Sequence, residues 1–221
     1  THCISSAASD VYKRQMLSHT PIHCTVNPSL YRFECKPVEK AETRKQVAVV
    51  GAGPAGCEAA LTASKRGHQV TIYEKRCIGG AMIEASKPEN KANIKRLIHY
   101  YEDHIMHDPN ITLVKEEVEY ETLVHSGYDA VIIAVGGKTR ILNVPGIEKN
   151  SVIYASDYLN GSTAVTGNTV VVIGGGITGA ETALELNAEG KKVTIVEMTD
   201  AFLANLVPLV RHILQRSMKQ T

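Results

Sequence analysis

The 221-residue sequence is 43% hydrophobic and 21% charged, with a formal net charge of +1. These values describe an ordinary globular chain and give no electrostatic case for a nucleic-acid partner or a membrane surface. No apolar run approaches the ~20 residues that span a bilayer, and residues 1–15 lack the apolar segment of a secretory signal.

Five cysteines, at positions 3, 24, 35, 57 and 77, form an odd set in a chain of ordinary composition. That argues against a disulfide scaffold and for a reducing compartment, the cytoplasm. In chain order, residues 1–45 read as a polar, weakly patterned lead-in. Within it, 5–15 shows no period and resembles translated sequencing-adapter sequence, so no chemistry is placed there. The sequence starts at Thr1 and stops soon after a second nucleotide motif begins, and is read as truncated at both ends.

The first strand is expected over 47–50, a fully apolar run of the kind buried on both faces of a parallel sheet. A glycine elbow follows, with Gly51, Gly53 and Gly56 enclosing Pro54 and Ala55. A helix rich in Ala and Leu comes next, closed by Gly67 at a C-cap position. A strand over 69–74 ends on Glu74. Ile94, Leu97, Ile98, Tyr101 and Ile105 fall at helical spacing, which predicts an amphipathic helix over 90–106. Strands are expected over 111–115 and 130–134, with turns at Gly136-Gly137 and Pro145-Gly146. The chain crosses between domains near 145–165, giving a first domain over 46–150 and a second over 151–221.

The second domain repeats the first at an offset of 123 residues, without gaps: GAGPAGCEAALTASKRGHQVTIYEK at 51–75 aligns with GGGITGAETALELNAEGKKVTIVEM at 174–198. Strands are expected over 170–173 and 192–197. Gly174, Gly176 and Gly179 match the first elbow, with Ile177 and Thr178 between them, and Glu197 matches Glu74. One recurrence at domain spacing points to two nucleotide folds in tandem rather than a solenoid.

The chemistry of each elbow follows from its residue types. A dinucleotide pyrophosphate needs close backbone approach, N–H donors and the positive end of a helix, and the glycines supply all three. A carboxylate at the end of the next strand accepts hydrogen bonds from the adenosine ribose. At Glu197 it would repel a 2′-phosphate, which favours NAD over NADP; Lys191 and Lys192 are the basic residues near enough in sequence to weaken that preference.

Family resemblance assigns the cofactors. Residues 46–80, with Glu74-Lys75 and then Ile78-Gly79-Gly80, resemble the FAD fold of the pyridine-nucleotide flavin reductases. YDAVIIAVGG (128–137) resembles the strand and Ala-Thr-Gly turn that return towards the flavin, with Val135 in place of Thr. The resemblance implies an α/β architecture of two Rossmann-like folds in tandem, the second incomplete. It implies FAD at the first elbow, with Lys75, Gly79, Gly80 and Gly136 among its contacts, and NAD(H) at the second. Glu74 and Gly79 stand slightly closer together than the family pattern has them. Met82 stands where a Cys-x4-Cys pair would have its second thiol, so no redox-active disulfide is expected. Cys77 is then read as a buried or inert thiol and Cys57 as a helix-packing residue.

Ala85-Ser86-Lys87-Pro88, Lys95-Arg96-Leu97-Ile98 and the segment 207–214 resemble the NADH:flavin oxidoreductase family of 2-enoate and 2,4-dienoyl-CoA reductases. In that family Cys24, within Cys-Thr-Val-Asn-Pro, would be the last ligand of a 4Fe-4S cluster, with Cys3 as a candidate early ligand. The middle ligands are absent, so this chain is not expected to close a cluster by itself. The resemblance implies an FMN-bearing TIM barrel ahead of Cys3. It also implies electron flow from NADH through FAD, the cluster and FMN to an activated C=C bond. A second reading, an electron-transfer module of the glutamate-synthase small-subunit type, would have Gly-Gly-Gly-x-Thr-Ala at the second elbow; Gly179-Ala180 favours the first. A third is an inactive dinucleotide-binding fragment. The segment alone is expected to be inactive and poorly stable, because its second sheet would end at an unpaired edge. His104 and His107 are read as a solvated face, the charged run 115–121 as an exposed strand end, and Tyr100-Tyr101 as packing residues.

Overall fold

The structure is a computed structural model that describes residues 37–88, 91–204, 206 and 208–219. Among the described residues, those up to Arg140 form one compact unit and those from Ile141 another.

In the first unit, β1 (Gln46–Val50), β2 (Gln69–Tyr73), β3 (Ile111–Val114) and β4 (Ala130–Ile133) make one sheet in the order β3-β2-β1-β4. Every neighbouring pair is parallel, with Val47 opposite Val70 and opposite Ala130. Parallel neighbours need crossovers, which α1 (Pro54–Lys65) and α3 (Ala92–Met106) supply. The short α2 (Met82–Ala85) precedes α3, and α4 (Tyr120–His125) precedes β4. Val47, Ala48 and Val49 are buried, as the apolar run predicts. Val47 and Val49 pack with Leu61, Val70, Ile72, Tyr101 and Ile105. Each such fully buried aliphatic side chain contributes about 1.5–3 kcal/mol. The helical spacing over 90–106 is realised in α3, whose Tyr101 and Ile105 turn inward.

In the second unit, α5 (Ala155–Leu159) leads into β5 (Thr169–Ile173), α6 (Ile177–Ala188) and β6 (Lys192–Val196). α7 (Pro208–Lys219) ends the described chain. β5 and β6 pair in parallel, and among the described residues they are the only strands of their sheet. Tyr158, Leu159, Val172, Ala183 and Leu186 form the core. Here the expectation of strands buried on both faces needs correction. Val171 and Ile173 on β5 are exposed, because the described residues cover one face of the pair.

Helices α1 and α6 end alike. Gly67 N–H donates to the Ser64 carbonyl and His68 N–H to that of Ala63. Gly190 and Lys191 repeat both bonds on Asn187 and Leu186. This is the double-bonded helix stop expected where a glycine follows the last turn.

Candidate functional site: two nucleotide elbows

Strand order 3-2-1-4 reverses direction at β1, and ligands of such sheets bind beyond the strand ends at that reversal. Gly51 sits there. Its φ is +98°, a left-handed value that glycine adopts freely, and a Cβ on it would lie 2.5 Å from the Ala134 carbonyl oxygen just past β4. Gly51 N–H donates to the Tyr73 carbonyl (2.8 Å), tying the elbow to β2. Gly56, one turn into α1, lies so close to Gly51 that a Cβ would fall 1.9 Å from its carbonyl oxygen.

The second elbow reproduces these features at the repeat offset. Gly174 has φ +110°, its N–H donates to the Val196 carbonyl (2.8 Å), and a Cβ on Gly179 would fall 1.9 Å from the Gly174 oxygen. Gly53 and Gly176 are the extended N-caps of α1 and α6, and neither helix has a side-chain cap. First-turn amides have no carbonyl behind them in the helix. Those of Ala55 and Gly56, and of Ile177, Thr178 and Gly179, are therefore placed to receive an anion. Pro54, at the first helical position, has no N–H to offer. Among the described residues, no heavy atom beyond its chain neighbours comes within 4 Å of where a Cβ on Gly176 would stand, so a phosphate has room there.

Both acids turn into their elbows. Ala52 N–H donates to Glu74 Oε2 (2.7 Å) and Arg76 N–H to Oε1 (2.7 Å). Gly175 N–H donates to Glu197 Oε2 (2.6 Å) and Thr199 N–H to Oε1 (2.8 Å). The Gly175 amide, then the hydroxyl and amide of Thr199, hold the Glu197 carboxyl below the usual carboxylate range. A carboxylate has about four acceptor positions, so each acid keeps capacity for a ribose hydroxyl. Lys192 opens β6 and Glu197 follows its end, so the two stand about 16 Å apart along the strand. Lys191 lies at that far end too, with its Nζ on the Gly167 carbonyl (3.3 Å).

Gly79 and Gly80 join the first elbow: Gly79 N–H donates to the Ala52 carbonyl (2.8 Å), and a Cβ on Gly80 would lie 2.8 Å from the Gly53 Cα. Residues 134–135 close its other side, while Gly136 just beyond faces open space. Lys75 is directed elsewhere, its Nζ bonded to Glu117 Oε1 (2.7 Å) on the surface.

Cys57 is buried on α1 with its Sγ donating to the Ala52 carbonyl (3.2 Å), and burial, then the Glu74 charge, push its thiol up to about 12. Cys77, expected to be buried or inert, is exposed, because the chain has left β2 for the loop leading to Gly79. Cys3 and Cys24 lie outside the described residues, and among the described residues no group of three or more His, Cys, Asp or Glu could hold a metal ion. His104 and His107 are exposed and bond carbonyls of their own helix turn. They border a depression of about 400 Å³ at the far end of α1 from the elbow, outside the nucleotide site. Tyr101 is buried with its hydroxyl on Glu58, whereas Tyr100 is exposed against His104.

Three features at the second elbow were missed by sequence reasoning. A Cβ on Gly175 would lie 2.7 Å from the Phe202 ring. Leu203 is buried at a left-handed φ of +57° and donates from its N–H to the Gly175 carbonyl (3.0 Å). Arg211 on α7 fastens the same segment through the carbonyls of Leu203 (3.1 Å) and Ala204 (2.8 Å). The one sequence signal was glycine at 175, where the first copy has Ala52.

Two glycine elbows, each with its acid, define a tandem dinucleotide-binding oxidoreductase module of the class that binds FAD and NAD(P)H. The chain belongs to the pyridine nucleotide-disulphide oxidoreductase family, whose pattern matches residues 45–221. It is 38% identical over 195 residues to an NADH oxidase of Thermoanaerobacter brockii, covering 86% of this chain and 30% of that protein. It is 36% identical over 184 residues to a cinnamate reductase of Clostridium sporogenes, covering 82% and 27%. The solved structure of 2-naphthoyl-CoA reductase with 2-naphthoyl-CoA is similar over 93% of this chain and 32% of that one, at 30% identity and a TM-score of 0.85. The module is thus of the 2-enoate and dienoyl-CoA reductase type, and it spans less than a third of each of these relatives. No helix among the described residues is long and apolar enough to cross a membrane.

Proposed function

We propose that the chain is the NADH-accepting, FAD-binding module of a cytoplasmic reductase acting on an activated C=C bond of an enoate or enoyl-CoA. The first elbow takes the ADP half of FAD and the second that of NADH. The observation that carries this reading is the duplicated frame, in which each acid accepts an amide from its own elbow and retains acceptor capacity for a ribose.

A bound nicotinamide supplies hydride to a bound flavin. The chain's own residues bind and orient. The amides of Ala55 and Gly56 would receive one pyrophosphate, and those of Ile177, Thr178 and Gly179 the other. Glu74 and Glu197 would take the adenosine riboses, with Gly79, Gly80 and the 134–136 turn flanking the flavin side. Lys75 would contribute charge near the adenosine once released from Glu117. Glu197, distant from Lys191 and Lys192, favours NADH over NADPH. In the related reductases' pattern a 4Fe-4S cluster and FMN lie further along the electron path, with Cys24 and Cys3 as ligand candidates and a TIM barrel as the substrate domain.

The test is anaerobic titration of the intact reductase that carries this module. Flavin absorbance should bleach with NADH far more readily than with NADPH, and Glu197→Arg should reverse that order. A protein without flavin bands, or a Glu197→Arg variant with an unchanged cofactor ratio, would refute the assignment.

A further inference from the structure

The two acids occupy matching frames but carry different numbers of hydrogen bonds. An ionised carboxylate oxygen offers two acceptor positions. Glu74 uses one on each oxygen, for the amides of Ala52 and Arg76, and one on each stays open. Glu197 accepts the two equivalent amides and a third bond as well: the Thr199 hydroxyl donates to Oε1 at 2.8 Å. Oε1 then carries both Thr199 donors, where each Glu74 oxygen carries one, and the Met198 amide acts on the Glu197 carboxyl as well.

The third bond comes from a difference in side chain at one repeat position. Thr199 matches Arg76, whose guanidinium turns away and bonds Glu84 Oε1 (2.7 Å). The Thr199 hydroxyl has another acceptor within reach, the Ala201 carbonyl at 3.4 Å, but that distance is at the weak limit. The hydroxyl therefore stays on Glu197. A ribose presents two neighbouring hydroxyls, and an acid with one open position on each oxygen can take both.

Resting on the site assignment proposed above, we infer that Thr199 sets the affinity of the second elbow. Its hydroxyl competes with the adenosine ribose of the nicotinamide cofactor for Glu197 Oε1. The second elbow then grips its ribose through one oxygen, where the first grips through two. The difference matches what the cofactors do: a flavin stays through many turnovers, whereas a nicotinamide exchanges at each one. Thr199 is a positioning residue, and its effect falls on cofactor release.

The experiment compares Thr199→Val, which keeps shape and amide but removes the hydroxyl, with Thr199→Ser, which keeps the hydroxyl. NADH and ADP-ribose are each titrated into the protein by calorimetry, and NADH release is timed by stopped flow. Thr199→Val should bind both ligands about five-fold tighter, the worth of one regained hydrogen bond, through slower release. Flavin content should not change, and Thr199→Ser should bind as the parent does. Equal or weaker binding by Thr199→Val, or tightening in Thr199→Ser as well, overturns the inference while leaving the site assignment standing. A parent protein that binds neither NADH nor ADP-ribose removes the nicotinamide from this elbow and overturns both.

Discussion

At the scale of single residues, the strictest requirement is the absence of a Cβ at Gly56 and Gly179. A methyl 1.9 Å from a carbonyl oxygen cannot be absorbed by rotating a side chain, because the obstacle is the elbow's own backbone. Gly56→Ala should open the first elbow, lower stability by about 1–3 kcal/mol or more, and strip bound flavin. Gly179→Ala should instead remove NADH binding and leave the flavin spectrum intact. Loss of both cofactors from either variant would contradict two separate sites. The two described cysteines should also behave differently. Exposed Cys77 should react with a thiol reagent in the native protein, and Cys57 only on unfolding. The Cys57 thiol has an ordinary value of 9.0 and is pushed up to about 12 by burial, and the hydrogen bond between the Tyr73 and Tyr128 hydroxyls, with burial, moves Tyr73 up to about 12 as well. A raised folded value means that only the unfolded chain ionises first. Stability is therefore fully present below pH 9 and is lost as pH rises towards 12. Thermal melts should show a midpoint falling by several degrees across that window, and a flat profile would show that neither group stays protonated in the native state.

At the scale of elements, the strand–elbow–helix–strand order was legible because each part has its own local cause. β1 and β5 follow from short apolar runs, the elbows from glycines at fixed spacing, and the helix stops from Gly67 and Gly190. The surroundings of each element were not legible. β1 and β5 carry nearly the same pattern, yet Val49 is buried and Val172, its repeat partner, is flanked by exposed Val171 and Ile173. Burial depends on how many neighbours a strand has, which its own sequence does not encode. The segment 199–204 was opaque for the same reason. Nothing local to Leu203 requires a left-handed backbone, a conformation that costs a non-glycine residue about 1–2 kcal/mol. The hydrogen bond from its N–H to the Gly175 carbonyl and the Arg211 guanidinium on its own carbonyl impose it from outside. Arg211→Ala should release that segment. Two hydrogen bonds from a charged donor are lost, so the second unit should be destabilised by about 1–3 kcal/mol, read as a lower urea midpoint. NADH affinity should fall with it, because Phe202 and Leu203 back the amide that holds Glu197. An unchanged midpoint would show that the segment is held by packing alone.

At the scale of the whole molecule, the two units differ in how well each is built to stand. The first has four parallel strands, a central strand buried along most of its length, and helices to cover it. The second has, among the described residues, two strands, with Val171, Ile173 and Val196 exposed. Parallel pairs rely on cover over both faces, and a two-stranded sheet is marginal in water. Unfolding of the 221-residue protein should therefore proceed in two stages rather than one. Urea should first release the unit from Ile141 onward, abolishing NADH binding, while the flavin site around Gly51 persists to higher concentration. Hydrogen exchange gives the same order at finer grain. Amides of β5 and β6 should exchange through a low-energy opening, and those of β1 and β2 only with global unfolding. On the proposed assignment NADH binds the folded second unit and not the unfolded one, so saturating NADH should raise the first transition and leave the second in place. Coincident transitions, with β5 as protected as β1, would mean that the second sheet draws its stability from contacts outside its own two strands.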